Sequence, residues 1–401
     1  MSGLQYAPHR LAPTPLPPGE APAAAGAPTA TAIAIRSLHL INGEHYSGAE
    51  RVQDHLARQL PQFGISLDFA SLKRGKFASM RQAVETPLYE FPMRHRLDFA
   101  VVKPIVHLVY RKGYHLLHAH TPRSALIAAK VARRTGLPWV YHVHSPVTRD
   151  SERWLRNQLN AIAEARSLRG ASRVIVVSPS LWPYMHQRGI DPARVACVPN
   201  GVPASLQPRP SGLPEGDWTI GMVALFRPRK GVELLLEALH ELTRRKLPVR
   251  LRGVGAFETA SYEQSIHQIV ARLGLDDRVE WTGFTRDVAS ELARLDILAL
   301  PSLFGEGLPM VLLEAMAAGL PAVVSDVEGA SAAVVDGQTG LIVPPGDATR
   351  LADSLEALIA GRVDYPAMAT AARERHAKEF SDVAMAQGVA QVYESLLPQS
   401  L

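Results

Sequence analysis

Residues 301–328 read Pro-Ser-Leu-Phe-Gly-Glu-Gly-Leu-Pro-Met-Val-Leu-Leu-Glu-Ala-Met-Ala-Ala-Gly-Leu-Pro-Ala-Val-Val-Ser-Asp-Val-Glu. The run 296–300 before them is short, apolar and bounded by Pro301 and Ser302, which suits a buried strand. Gly305 and Gly307 bracket Glu306 and let a ligand approach the backbone closely. Pro309 fits a first helical turn, where its missing N–H costs nothing. The helix is expected to run to Ala318 and stop at Gly319, with a second strand over 320–324. Strand, loop, helix, strand is the unit of an α/β sheet. The helix enters through a Gly-Glu-Gly loop, so its bare N–H groups and positive dipole end meet whatever lies there, and a phosphate is the natural guest.

Two carboxylates frame that guest. Glu306 is on the loop and Glu314 is inside the helix, about 7–8 Å along the axis from Pro309. An ionised carboxylate only accepts hydrogen bonds, and strong ones. Two of them on either side of a helix N-terminus match a diphosphate with hydroxyl-bearing rings at both ends, as in a nucleotide-sugar.

The segment closely resembles the signature of retaining glycosyltransferases of family 4, and the resemblance extends over nearly all of residues 31–395. It implies the GT-B fold: two Rossmann-like α/β domains facing a central cleft, with a C-terminal helix crossing back to the first domain. It also implies that Glu306 contacts the donor sugar, that Glu314 contacts the ribose, and that the amides of Gly307 and Leu308 approach sugar and phosphate. The expected layout is an Ala/Pro-rich disordered tail (1–30), an acceptor-binding domain (31–203), a linker rich in Pro, Gly and Ser (204–216), a nucleotide-sugar-binding domain (217–380) and the returning helix (381–401).

In the first half, a strand over 31–41 leads through Ser47-Gly48-Ala49-Glu50 into a helix. This resembles the family's Gly-Gly-Ala-Glu loop with Ser47 in place of the first glycine, so Gly48 is the cleft candidate. Two strand ends carry His-x-His, at His118–His120 and at His142–His144. On a strand that spacing puts both rings of a pair on one face. Imidazole binds zinc, but neither pair has a carboxylate or cysteine ligand at a metal-site spacing, and no metal or cofactor is assigned. The resemblance makes His144 a sugar-side catalytic candidate. His120 and Arg123 are acceptor-side candidates, and His118 and His142 are expected to be satisfied structural residues.

In the second half, 219–225 is a strand running into Phe226-Arg227-Pro228-Arg229-Lys230-Gly231 and a helix. Cations between a strand and a helix N-terminus suit a diphosphate. Lys230 matches the family's lysine. Leu225 stands where the family has arginine, so Arg227 is the preferred substitute over Arg229. The resemblance sets Phe284 and Thr285 beside the base or the ribose.

The chain has 401 residues, enough for two domains, and a net charge of +5. Residues 31–205 hold 24 Lys+Arg against 11 Asp+Glu (net +13), and residues 206–401 hold 18 against 26 (net −8). The basic half is expected to permit peripheral contact with an anionic membrane, above all through the cations and apolar residues of 94–112, where Pro104 is expected to kink or interrupt a helix. Nucleic acid is not supported, since no aromatic–basic recognition motif is present. The single cysteine, Cys197, rules out an internal disulfide and is expected to be a small buried side chain. No run is long and apolar enough to span a bilayer, and no secretory signal is evident; the expected location is cytoplasmic, free or peripheral on the inner membrane face. The expected function is retaining, metal-independent transfer of a sugar from a nucleotide-diphosphate donor to a glycan or lipid-linked acceptor, in polysaccharide or glycolipid synthesis. A non-catalytic nucleotide-sugar binder and a histidine-ligated metal hydrolase are the alternatives.

Overall fold

In the computed structural model, residues 35–145, 168–205, 213–214 and 216–397 are described. The 1–30 tail, most of the 204–216 segment and residues 398–401 lie outside them. Two all-parallel sheets organise the chain. The first has seven strands: β1 (Ile35–Ile41), β2 (Ile65–Ser71), β3 (Leu88–Glu90), β4 (Leu116–Ala119), β5 (Trp139–Val143), β6 (Arg173–Val176) and β7 (Val195–Cys197), in spatial order β3-β2-β1-β4-β5-β6-β7. The second has six: β8 (Trp218–Val223), β9 (Val249–Val254), β10 (Val279–Gly283), β11 (Ile297–Leu300), β12 (Ala322–Ser325) and β13 (Leu341–Val343), in order β10-β9-β8-β11-β12-β13. Both orders reverse beside the first strand, so each sheet has a switch point at its carboxyl edge, where α/β sheets bind ligands. The central strands β4, β5, β11 and β12 are buried along their whole length, which is why they read as apolar runs rather than alternations.

The helix that opens after the Gly-Glu-Gly loop spans Met310–Ala318, with Pro309 as its N-cap and Gly319, at φ +71°, closing it. Seven of its nine residues are buried; Val311 and Glu314 are the other two. Its apolar residues belong to the same core as the first sheet, whereas Trp218, Leu235, Leu239 and Tyr365 help form a separate core around the second.

The last helix, Asp382–Glu394, returns to the first sheet. Val202 and its neighbours tie it there: Val202 N donates to Phe380 O and Asp382 N donates to Val202 O, both at 3.0 Å. Gln59 Nε2 donates to Asp382 Oδ2 at 2.6 Å, and Tyr393 is fully buried.

Two expectations are corrected. Cys197 is exposed, because β7 is an edge strand and its last side chain points out. Pro104 does not interrupt its helix: the element spans Val102–Lys112 and Pro104 falls in the first turn, where no intrahelical N–H is required. That helix buries Val102, Ile105, Leu108 and Val109 on its sheet and turns Lys103, Tyr110 and Arg111 to solvent.

A side chain at Gly201 would place its Cβ 2.3 Å from the Ser381 carbonyl oxygen, which is backbone and cannot step aside. Gly201→Ala is therefore expected to cost about 1–3 kcal/mol and lower the calorimetric melting temperature by several degrees. An unchanged melting temperature would contradict this packing of the returning helix.

Candidate active site

Glu306 is buried and held by three partners. Lys230 Nζ bonds its carboxylate, Ser302 Oγ donates to Oε1 at 2.7 Å, and Arg229 Nη1 lies 3.5 Å away. Burial alone would raise the Glu306 carboxyl; the Lys230 ammonium, Arg229 and the Ser302 hydroxyl outweigh it and hold the group below its usual range. For Lys230, burial comes first and lowers the pKa, with Arg229 and Arg227 pushing the same way and Glu306 opposing. The group is thus a compact cationic cluster around one carboxylate.

The loop itself is clamped. Gly305 N and Glu306 N donate to Glu328 Oε2 at 2.9 and 3.3 Å. Glu328 adopts φ +22°, a conformation side-chain-bearing residues rarely take, and such strain persists only where the surroundings impose it. A Cβ on Gly307 would fall 1.7 Å from the His144 carbonyl oxygen. The loop of the second half therefore touches the β5 end of the first, and only glycine fits there. Asn200 Nδ2 donates to Leu308 O at 3.0 Å from the first-sheet side.

Glu314 forms an ion pair with Arg51, which stands on the helix Gly48–Gln59 that follows β1. Its other oxygen, Oε2, is buried without a hydrogen-bond partner among the described residues. Glu314 thus faces an element of the first half while Glu306 is held by partners of the second, and neither is a solvated surface charge. Gly48 lies against Met310, but a Cβ there would meet Met310 Cγ at an ordinary 3.5 Å. Glycine at this position is therefore not sterically enforced. Arg227 pairs with Glu258 at 3.5 Å and Arg229 with the loop carbonyls Phe304 O and Gly305 O at 3.3 and 3.1 Å. Arg229, the less favoured of the two in sequence, is the one on the loop. Phe284 is exposed beyond β10, and Thr285 Oγ1 accepts from Asp287 N at 3.0 Å. Arg123 begins the helix Pro122–Thr135, and its charge acts on Glu44 at the β1 edge.

The histidine pairs meet a fifth ring. His39 of β1 joins His118, His120, His142 and His144 at the strand ends. His118 stacks on His120 (centroids 4.2 Å) and His142 on His144 (4.4 Å). Tyr393 Oη is 2.9 Å from His39 Nε2 and 2.6 Å from His118 Nδ1. His120 bridges His39 Nδ1 at 3.0 Å and His144 Nε2 at 3.2 Å. The expectation that His142 is a satisfied structural residue is corrected: neither ring nitrogen has a hydrogen-bond partner among the described residues, nor does His118 Nε2. Two triads, His39–His118–His120 and His120–His142–His144, bring ring nitrogens within 4.8 Å of one another. His39, Tyr393, Arg51 and Glu328 were not picked out by sequence. Only Glu328 had a local signal, its place at the end of the loop–helix–strand unit.

Burial lowers all five histidines: His39 to about 3, His144 to about 4, and His118, His120 and His142 well below the ordinary value of 6.5. The folded chain keeps them neutral where the unfolded chain takes up protons. The stability this carries is complete above pH 6.5 and is lost as pH falls from there toward the folded values. Between pH 7 and 5.5 the loss is about 1.2 kcal/mol per histidine, about 6 kcal/mol for five. Urea midpoints measured across that interval are expected to fall steeply. A flat profile would contradict the neutral buried cluster.

Among known proteins, the family description "Glycosyl transferases group 1" matches residues 205–375 and "Glycosyltransferase Family 4" matches residues 46–206. A phosphatidyl-myo-inositol mannosyltransferase of Mycobacterium leprae is 27% identical over 312 residues, 75% of this chain and 79% of that protein. An exopolysaccharide phosphotransferase of Streptomyces coelicolor is 33% identical over 195 residues, 48% of this chain but only 20% of that longer protein. Among solved structures, Anabaena Alr3699/HepE in complex with UDP superposes with a TM-score of 0.80 at 24% identity, over 90% of this chain and all of that one. With two parallel sheets, a returning last helix and two adjoining family matches along its length, the chain belongs to the glycosyltransferases of the GT-B fold, enzymes that move a sugar from a nucleotide-diphosphate donor to an acceptor.

Proposed function

We propose that the chain is a retaining transferase that holds its donor diphosphate at the start of the helix Met310–Ala318. The observation that carries this is the convergence of Lys230, Arg229 and Glu306 with that helix start and with the His144 strand end. Lys230, with Arg229 and Arg227, neutralises the departing diphosphate, and the amides of Gly307 and Leu308 approach it. Preorganised cations and N–H groups supply this stabilisation directly. Glu314 takes the ribose hydroxyls through the oxygen that Arg51 does not hold. Phe284 and Thr285 border the base. Glu306 and His144 contact the sugar, and Gly48, His120 and Arg123 line the acceptor side.

In the reaction the bond from the anomeric carbon to the phosphate oxygen breaks, and a bond to the acceptor oxygen forms on the same face. The acceptor proton passes to the leaving phosphate oxygen. Double displacement would need a carboxylate on the far face of the sugar, and none is assigned there. Closure of an acceptor half on a donor half limits loss of donor to water.

The acceptor is a glycan or a lipid-linked sugar, in polysaccharide or glycolipid synthesis. Relatives named as a phosphatidyl-myo-inositol mannosyltransferase and a colanic acid biosynthesis glycosyltransferase support that class. The complexes of HepE with UDP and UDP-glucose favour a UDP-sugar donor. Among the described residues no helix is long and apolar enough to cross a membrane. Peripheral contact with the anionic inner face of the membrane is supported by exposed Leu97 and Tyr110 beside Lys103 and Arg111.

Two experiments bear on this reading. Glu306→Ala is expected to abolish transfer in a protein that still folds; near-normal turnover would remove Glu306 from the site. Lys230→Ala is expected to weaken nucleoside diphosphate binding at least tenfold, roughly 1.4 kcal/mol. An unchanged calorimetric affinity would mean that the phosphates lie elsewhere.

A further inference from the structure

The histidine cluster contains a constraint that follows from counting protons. His39, His120 and His144 are neutral, so each ring carries one N–H. Two nitrogen–nitrogen contacts join them, His39 Nδ1 to His120 Nε2 at 3.0 Å and His120 Nδ1 to His144 Nε2 at 3.2 Å. A hydrogen bond between imidazoles needs one protonated and one bare nitrogen. If His120 carries its proton on Nε2, then His39 and His144 must as well. If His120 carries it on Nδ1, so must the other two. The three rings share one tautomer, and changing it moves all three protons together.

Tyr393 biases the choice. With Nε2–H on all three rings, His39 donates to Tyr393 Oη, and the phenol proton remains for His118 Nδ1 or for Ser37, whose hydroxyl also approaches Tyr393. With Nδ1–H on all three, Tyr393 must donate to His39, and an N–H is left on His144 Nδ1. That atom is the one relay nitrogen without a hydrogen-bond partner among the described residues. A buried N–H without an acceptor is rarer and costlier than a bare acceptor. The first arrangement is favoured, and it leaves a lone pair on His144 Nδ1.

A shared metal ion fits this geometry less well. Contacts of 3.0 and 3.2 Å are hydrogen-bond distances. In each of these contacts one nitrogen carries the shared proton and so has no in-plane lone pair to offer an ion.

We propose that Tyr393, His39 and His120 are positioning residues that fix the tautomer of His144, so that its Nδ1 meets a bound sugar as a hydrogen-bond acceptor. The sugar contact rests on the role given to His144 above; the relay does not. The C-terminal helix thereby has a chemical part in the first half as well as a packing one, since its Tyr393 hydroxyl is the end of the chain of protons.

Nitrogen NMR of the full-length protein labelled with 15N-histidine tests the relay directly. His39, His120 and His144 are each expected to show a pyrrole-like Nε2 and a pyridine-like Nδ1. Mixed tautomers among the three, or stoichiometric metal in the purified protein, would overturn the proposal. Tyr393→Phe keeps the buried ring but removes the acceptor for His39 Nε2–H. It is expected to shift all three rings toward Nδ1–H, and to lower kcat/KM about tenfold, the scale of one mis-set hydrogen bond. Unshifted His144 signals in that variant would overturn the part given to Tyr393. The wild-type spectrum decides the relay whatever the variant's stability. If the tautomers agree but His144→Ala turns over normally, the sugar contact fails while the relay stands.

Discussion

A carboxylate as deeply buried as Glu306 cannot remain ionised without a partner. Lys230 is that partner, and the rest of the cleft is arranged around the pair. Lys230 closes the short turn after β8, and Glu306 is on the loop after β11, the neighbouring strand. The pair thus spans the switch point of the second sheet. Arg229 and Ser302 complete the surroundings of the carboxylate, and Glu328 fixes the backbone on which it stands. Breaking such a pair leaves an uncompensated charge in the interior, so its geometry is maintained by the cost of the alternatives.

The two halves meet through contacts that are equally specific. Gly307 lies against the carbonyl of His144, Asn200 holds Leu308, and Arg51 reaches Glu314. Each of these joins the first half to the loop or helix that carries Glu306 and Glu314. The last helix closes the arrangement from behind. Its Asp382 end is tied to Val202 and Gln59, and its Tyr393 end enters the histidine cluster. The basic first half and the acidic second half therefore meet at these contacts.

Much of this was legible in the chain itself. The loop–helix unit at 301–328 declared its own ends through Pro309 and Gly319, and the spacing of Glu306 and Glu314 followed from helix geometry. The His-x-His pairs marked two strand ends because alternation on a strand is rigid. Contacts between distant positions were not legible. Arg51 and Glu314 are 263 positions apart, and His39 and Tyr393 are 354 apart, and neither pair belongs to a local motif. His39 reads as one more residue of an opening strand. The choice between Arg227 and Arg229 depends on a short 3-10 turn that directs Arg229 to the loop. Cys197 read as buried from its apolar neighbours, but β7 is an edge strand, and strand order is not written in a single strand.

A crystal structure with a nucleoside diphosphate bound decides where the donor sits. The two phosphates are expected at the N-terminus of the helix Met310–Ala318, within hydrogen-bond reach of Lys230, with the ribose beside Glu314. Phosphate density away from Lys230 and that helix end, at any other part of the cleft, would contradict this placement.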